Sequence, residues 1–253
     1  MALDFGKRRV VVCGGSRGIG RAIALGFAAG GAAVSICARG ADGLAAAKAD
    51  GNLAHTGVCD LADAAAITRY VGDAAAALGG IDILVNNASG FGMTDDAAGW
   101  GAGFAVDMMA IVHASHAAMP HLEKATAASI VSVSSISAMR PSARSAPYGA
   151  MKAAVIHYTT SQAMMLAAKG IRVNAVAPGS IEFPGGTWGQ APRGGLARLR
   201  RRTRQHQGRP PRHAGGGRRC RAVPGLPHGP LGHRPDHRRG WRPAAVQLAL
   251  CRW

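Results

Sequence analysis

Arg9-Val10-Val11-Val12-Cys13-Gly14-Gly15-Ser16-Arg17-Gly18-Ile19-Gly20 is the stretch that decides the fold. A short apolar run stops at paired glycines, and residues 17–29 continue with apolar positions at helical spacing. Strand, glycine turn and helix in that order open a βαβ unit. Glycines at the joint let the backbone approach a pyrophosphate, whose charge is favoured at a helix N-terminus. The same alternation continues outward: strands over 33–37, 52–58, 81–85, 129–134 and 171–176, with helices over 62–78, 104–124 and 147–169. Strands alternating with helices imply right-handed crossovers and a parallel sheet covered on both faces, a doubly wound α/β architecture in a single domain.

Composition narrows the class. A chain of 253 residues buries a substantial core as one large α/β domain. Its five cysteines show no Cys-x-x-Cys spacing, and Cys13, Cys37 and Cys59 lie in or beside strands, where they read as buried, reduced thiols. The start passes directly into a strand without an apolar leader, and the longest uncharged stretch, 22–38, breaks at Gly30-Gly31 into a helix and a strand. The expectation is a cytoplasmic protein without a membrane span. The formal net charge of +17 is unevenly placed: 14 Lys and Arg face 12 Asp and Glu over residues 1–190, whereas 191–253 hold 16 arginines and the single Asp236. The basicity belongs to the tail, so nucleic-acid contact is expected only as nonspecific attraction to that tail.

Chemistry concentrates in Tyr148-Gly149-Ala150-Met151-Lys152, with Ser135 upstream. On a helix, residues i and i+4 share a face, so the Tyr148 phenol and the Lys152 ammonium can enter one cleft. A neighbouring cation stabilises a phenolate and makes tyrosine a usable acid or base. Protonation of an oxyanion is the implied reaction. His113 and His116 lie one turn apart on the 104–124 helix, but no carboxylate or cysteine completes a ligand set and no metal is expected.

The glycine turn, Asn86-Asn87-Ala88-Ser89-Gly90, Ser135, Tyr148-x-x-x-Lys152 and Pro178-Gly179 together resemble the classical short-chain dehydrogenase/reductase family over residues 7 to about 190. The resemblance implies a Rossmann-like fold and hydride transfer between a nicotinamide cofactor and a carbonyl or secondary alcohol, a 3-oxoacyl thioester being one candidate. It implies that Tyr148 is the general acid/base, that Lys152 supports it and holds the nicotinamide ribose, and that Ser135 hydrogen-bonds the substrate oxygen. For the cofactor it implies Gly14, Ser16, Arg17, Gly18, Ile19 and Gly20 in the turn, Asp60 at the adenine, Asn86 and Ala88 after the fourth strand, and Pro178, Gly179 and Ile181 with Tyr148 and Lys152. It also implies a homodimer or homotetramer through the 104–124 and 147–169 helices.

This chain departs from the family at two places. Asp107 stands where the family's fourth catalytic residue, an asparagine, is expected, adding negative charge near Lys152. No threonine follows Pro178-Gly179 at the usual distance, leaving Thr187 as a substitute. Cofactor choice follows from charge: the second strand ends at Cys37-Ala38-Arg39, Arg17 lies in the turn, and no carboxylate is at hand. NADP is therefore favoured over NAD.

The two parts are residues 1–190, a dinucleotide-binding catalytic domain, and 191–253, an Arg/Pro/Gly-rich tail of little regular structure. Eight of the 13 prolines lie beyond residue 190, and the tail shows neither helical nor strand period. Residues 231–242 can be encoded by codons that, advanced by one base, read WVTGQTIVVDGG, and 214–223 likewise permit PEEVADAVRF. These strings look like the family's last strand and a preceding helix, so a one-base frameshift is the expectation, with the last strand missing or altered. Two competing readings follow: a catalytically impaired cofactor-binding protein, or a binder of nucleic acid or an acidic partner through the tail.

Overall fold

The computed structural model describes residues 4–181 and residue 183. The 191–253 tail, its last strand and Thr187 lie outside the described residues.

Six parallel strands form one sheet in the order β3-β2-β1-β4-β5-β6. They are β1 (Arg9–Cys13), β2 (Ala33–Ala38), β3 (His55–Val58), β4 (Ile83–Asn86), β5 (Ser129–Val133) and β6 (Arg172–Val176). Strand β1 pairs with both β2 and β4, Cys13 standing beside Cys37 on one side and Asn86 on the other. The strand order therefore reverses at β1, and the crevice beyond its C-terminal end is where doubly wound sheets bind ligands. The helices are α1 (Gly18–Ala29), α2 (Ala41–Gly51), α3 (Ala64–Leu78), α4 (Ala97–Ala102), α5 (Ala110–Leu122) and α6 (Ala146–Leu166), with a π-helical turn, Gly103–Met109, joining α4 to α5. None of the described helices is long and apolar enough to cross a membrane.

Strand alternation makes two cores. Val10, Val12, Val34, Ile36 and Val85 meet Ala24 of α1 and Leu44 and Ala47 of α2 on one face. On the other, Val11, Cys13, Cys37, Leu84, Ile130 and Val173 meet Ile67, Val71 and Ala74 of α3 and Ala114, Ala118 and Leu122 of α5. Each such aliphatic side chain withdrawn from water contributes about 1.5–3 kcal/mol before entropy is counted. Cys13, Cys37 and Cys59 are all buried free thiols. The hydrogen bond with Cys13, then burial, hold the Cys37 thiol well above its usual range, so it stays protonated and unreactive.

Two elements differ from the sequence reading. Helix α2 has no counterpart there, because only Leu44 and Ala47 of its alanine-rich length are buried and the apolar stripe is too thin to read. The helix expected over 104–124 begins at Ala97 and contains the π turn; Gly99 and Gly101 weaken the helical pattern of its first stretch. Asp63 caps α3 by accepting hydrogen bonds from the Ala65 and Ala66 N–H groups, at 2.8 and 3.2 Å.

Below the crevice, Arg9 fastens β1 to β4. Its Nε and Nη2 donate to the two Asp82 oxygens at 2.9 and 2.7 Å, its backbone N–H adds a third bond at 2.8 Å, and Nη1 reaches the Gly79 carbonyl. The hydrogen-bonding guanidinium holds the Asp82 carboxyl below the usual carboxylate range. Stability from a depressed carboxyl is complete above its unfolded pKa of about 3.9 and is lost as pH falls through the lower folded value. Asp82→Asn is expected to cost about 2 kcal/mol at pH 7, with the difference from wild type closing below about pH 4 in urea titrations. A cost that stays constant with pH would assign the bond no charge-dependent part.

Candidate active site

A cleft of about 710 Å³ opens above the C-terminal ends of β1, β2, β4 and β5. At one end lie Gly14, Ser16, Arg17, Gly18 and Ile19 of the glycine turn with Arg39 and Asp60; at the other lie Ser135, Tyr148 and Lys152; Ala88, Pro178 and Gly179 line it as well.

The turn is built for close approach. Gly14 takes φ +84°, and a Cβ there would press at 3.0 Å on Ala88. Gly20 lies behind the cleft wall, packed on the Gly14 carbonyl and the Asn87 side chain with no room for a larger residue. Arg17 at the N-cap makes no side-chain capping bond, and the first turn of α1 holds no acidic residue, so its N–H dipoles are free for an anion. The guanidinium-bearing residues Arg17 and Arg39 are exposed at this end. These residues could hold a dinucleotide, with the start of α1 suited to its pyrophosphate and Arg39 and Asp60 lying at the end of the cleft away from Tyr148.

Besides Gly20, three of the sequence-derived candidates stand apart from this cleft lining. Asn86 is buried in β4, neither of its amide atoms having a hydrogen-bond partner; its neighbour Asn87 lines the cleft and donates from Nδ2 to the Gly14 carbonyl at 2.8 Å. Adjacent residues of a strand face opposite ways, which a sequence motif does not assign. Ile181 is half-buried outside the lining, whereas the Phe183 ring lies over Gly18. Asp107 is fully buried one layer beneath Lys152.

At the reacting end, Ser135 lies two residues beyond β5 and accepts a hydrogen bond from the Ser137 N–H at 3.1 Å, leaving its own O–H free to donate into the cleft. Tyr148 and Lys152 share one face of α6, with Lys152 Nζ 5.7 Å from the phenol ring centre. Lys152 is 2% exposed and donates to the Val133 carbonyl at 3.0 Å. Its ammonium also lies 2.9 Å from Asp107 Oδ1, a charge contact at an angle outside hydrogen bonding, so that oxygen has no donor. Asp107 Oδ2 accepts from the Gly90 N–H at 2.9 Å, tying the π turn to the loop after β4. Sequence reasoning missed two contributors. Ser134 donates to the Lys152 carbonyl at 2.7 Å and pins α6 to β5; it was one serine among several. Phe91 follows the Asn-Asn motif, adopts φ +48° and stacks within 6° of parallel on the Tyr148 ring, 6.0 Å between centres. An aromatic residue in the left-handed region costs about 1–3 kcal/mol, which the surrounding contacts must offset.

The fold is of the doubly wound class, with a phenol, an ammonium and a hydroxyl at one end of the cleft above its strand-order reversal. The sequence profile of the short chain dehydrogenase family matches residues 8–187, and the chain belongs to that family. It is 37% identical over 199 residues to isoepoxydon dehydrogenase patN of Penicillium expansum, covering 74% of this chain and 76% of that one. It is 38% identical over 195 residues to cis-4-hydroxycyclohexanecarboxylate dehydrogenase of Sinomonas cyclohexanicum, covering 73% and 77%. Among solved structures, a short chain dehydrogenase from Burkholderia cenocepacia J2315 in complex with NADP superposes with TM-score 0.66 at 39% identity, covering 74% of this chain and 81% of that one. The protein is an oxidoreductase enzyme of this family.

Proposed function

We propose that the protein uses NADP(H) to interconvert a ketone and a secondary alcohol borne on an alicyclic ring. The observation that carries the reading is the convergence of Ser135 and Tyr148, with Lys152 beneath the phenol, on the cleft that begins at the glycine turn. Bound nicotinamide supplies or accepts the hydride. In reduction, the Ser135 hydroxyl holds the carbonyl oxygen, Tyr148 gives that oxygen its phenolic proton, and Lys152 stabilises the phenolate left behind. Reprotonation from water restores the phenol; oxidation runs the same transfers in reverse.

Ring specificity is supported by Phe91, a flat wall parallel to Tyr148, and by Ala102, Ala105 and Val106 beside it. The charged side chains among the described lining residues are Arg17, Arg39, Asp60 and Lys152, which leaves the Phe91 side uncharged. The cyclohexane named in one relative's substrate agrees. NADP preference rests on Arg17 and Arg39, placed to grip a 2′-phosphate. Arg39→Asp is expected to weaken NADPH at least about tenfold while sparing NADH. Equal losses for both nucleotides would refute the preference. The substrate reading is tested by NADPH-linked turnover across cyclohexanones, open-chain ketones and 3-oxoacyl thioesters; faster turnover of thioesters than of cyclic ketones would overturn it.

A homodimer or homotetramer is favoured by the apolar residues that α6 and the π turn leave exposed, Met164, Met165 and Phe104. Residues 1–190 form the catalytic domain and 191–253 a frame-shifted ending, a division supported by a family match that stops at residue 187.

A further inference from the structure

The buried pair Asp107–Lys152 does more than hold a side chain in place. Lysine beneath a catalytic phenol acts through its positive charge, which favours phenolate. Here a carboxylate 2.9 Å from the ammonium opposes that charge, and both groups are shut from water at 0% and 2% side-chain exposure, where screening is weak. Asp107 cannot swing away, because its second oxygen holds the Gly90 N–H. Lys152 cannot leave either, since the Val133 carbonyl holds it from β5.

We propose that Asp107 is a positioning residue that neutralises Lys152 and so withholds from Tyr148 the positive charge that would favour its phenolate. The charge inventory around Tyr148 is short. Its own helix supplies Lys152, the π turn supplies Asp107, the segment after β5 supplies the neutral Ser135, and the loop after β4 supplies the Phe91 ring and the Gly90 N–H. The remaining charged lining residues, Arg17, Arg39 and Asp60, belong to the adenosine end. An amide at position 107 would leave the ammonium's charge unopposed.

The inference rests on Tyr148 being the acid/base group but not on the identity of the substrate, so it is read first without turnover. The chain has three tyrosines, and burial pushes both Tyr70 and Tyr158 up. Tyrosine ionisation followed by ultraviolet difference absorbance, with the Tyr148→Phe protein subtracted, therefore reports Tyr148. In Asp107→Asn its midpoint is expected to fall by about one pH unit or more, and the acid-side rising limb of dehydrogenation to move down with it. A midpoint that stays or rises, as it would if Lys152 lost its proton along with its partner, overturns the proposal. Should the asparagine variant fail to fold, Asp107→Ser also removes the charge and is read in the same way. Absence of turnover on every carbonyl tried, with the midpoint lowered as expected, would sink the substrate reading and leave this one standing.

Discussion

Tyr148→Phe is expected to lower kcat by about 10³-fold while nucleotide affinity changes less than about threefold, because the substitution removes one hydroxyl and keeps the ring. The ring's packing is independent of that oxygen: Phe91 stacks on its face and Lys152 sits 5.7 Å from its centre, held by Val133 and Asp107 rather than by the phenol. Among the described residues, proton transfer to the carbonyl oxygen has no other side-chain donor of this kind at the cleft end, since Ser135 offers a hydroxyl of much weaker acidity and Lys152 is buried behind the phenol. Steady-state rates with saturating NADPH, together with nucleotide titration by protein fluorescence, separate the two quantities. Turnover within tenfold of wild type would remove Tyr148 from the acid/base role, whereas a collapse of nucleotide binding would make it a binding residue instead.

Restoring the reading frame upstream of Ala214 is expected to have an effect of comparable size, raising soluble yield and turnover by at least about tenfold. The described sheet ends at β6, an outer strand at which a further parallel strand can add. The string WVTGQTIVVDGG has the β-branched run for such a strand, while the present 231–242 carries four arginines and two histidines and no comparable apolar run. An unpaired outer strand offers its N–H and C=O groups to other chains, which favours aggregation. Curated relatives are covered to about three quarters of their own length, 76% for the Penicillium expansum enzyme, consistent with an ending that has lost its family likeness. Resequencing the gene reads the frame directly. The frame as written, confirmed by an unambiguous read and accompanied by full activity of the 253-residue chain, would dispose of the frameshift.

The legibility of this protein was uneven for physical reasons. Strands β1 and β2 are visible because they are buried on both faces and read as apolar runs, interrupted in β2 only by Ser35. Helix α2 was hidden because it lies shallowly on the sheet and needs only two buried side chains. Glycine spacing and the Tyr-x-x-x-Lys interval were readable because backbone turns and helix faces impose fixed local periods. The roles of Asn86 and Asn87 were not, since one residue's difference in register decides which side chain enters the cleft and which is buried.

The amino-acid sequence by itself determined the alternating strands and helices, the nucleotide-binding turn and the pair Tyr148 and Lys152, all of which follow from local spacing. Only the tertiary structure decided how closely Asp107 approaches Lys152 and that both are shut from water. Asp107 and Lys152 are 45 residues apart in the chain, yet the π turn brings them to 2.9 Å. Phe91 reaches Tyr148 by a left-handed backbone step that no residue pattern announces. Such contacts arise where separate crossovers of one sheet converge, and their chemistry depends on water being excluded there, a property of packing rather than of order along the chain.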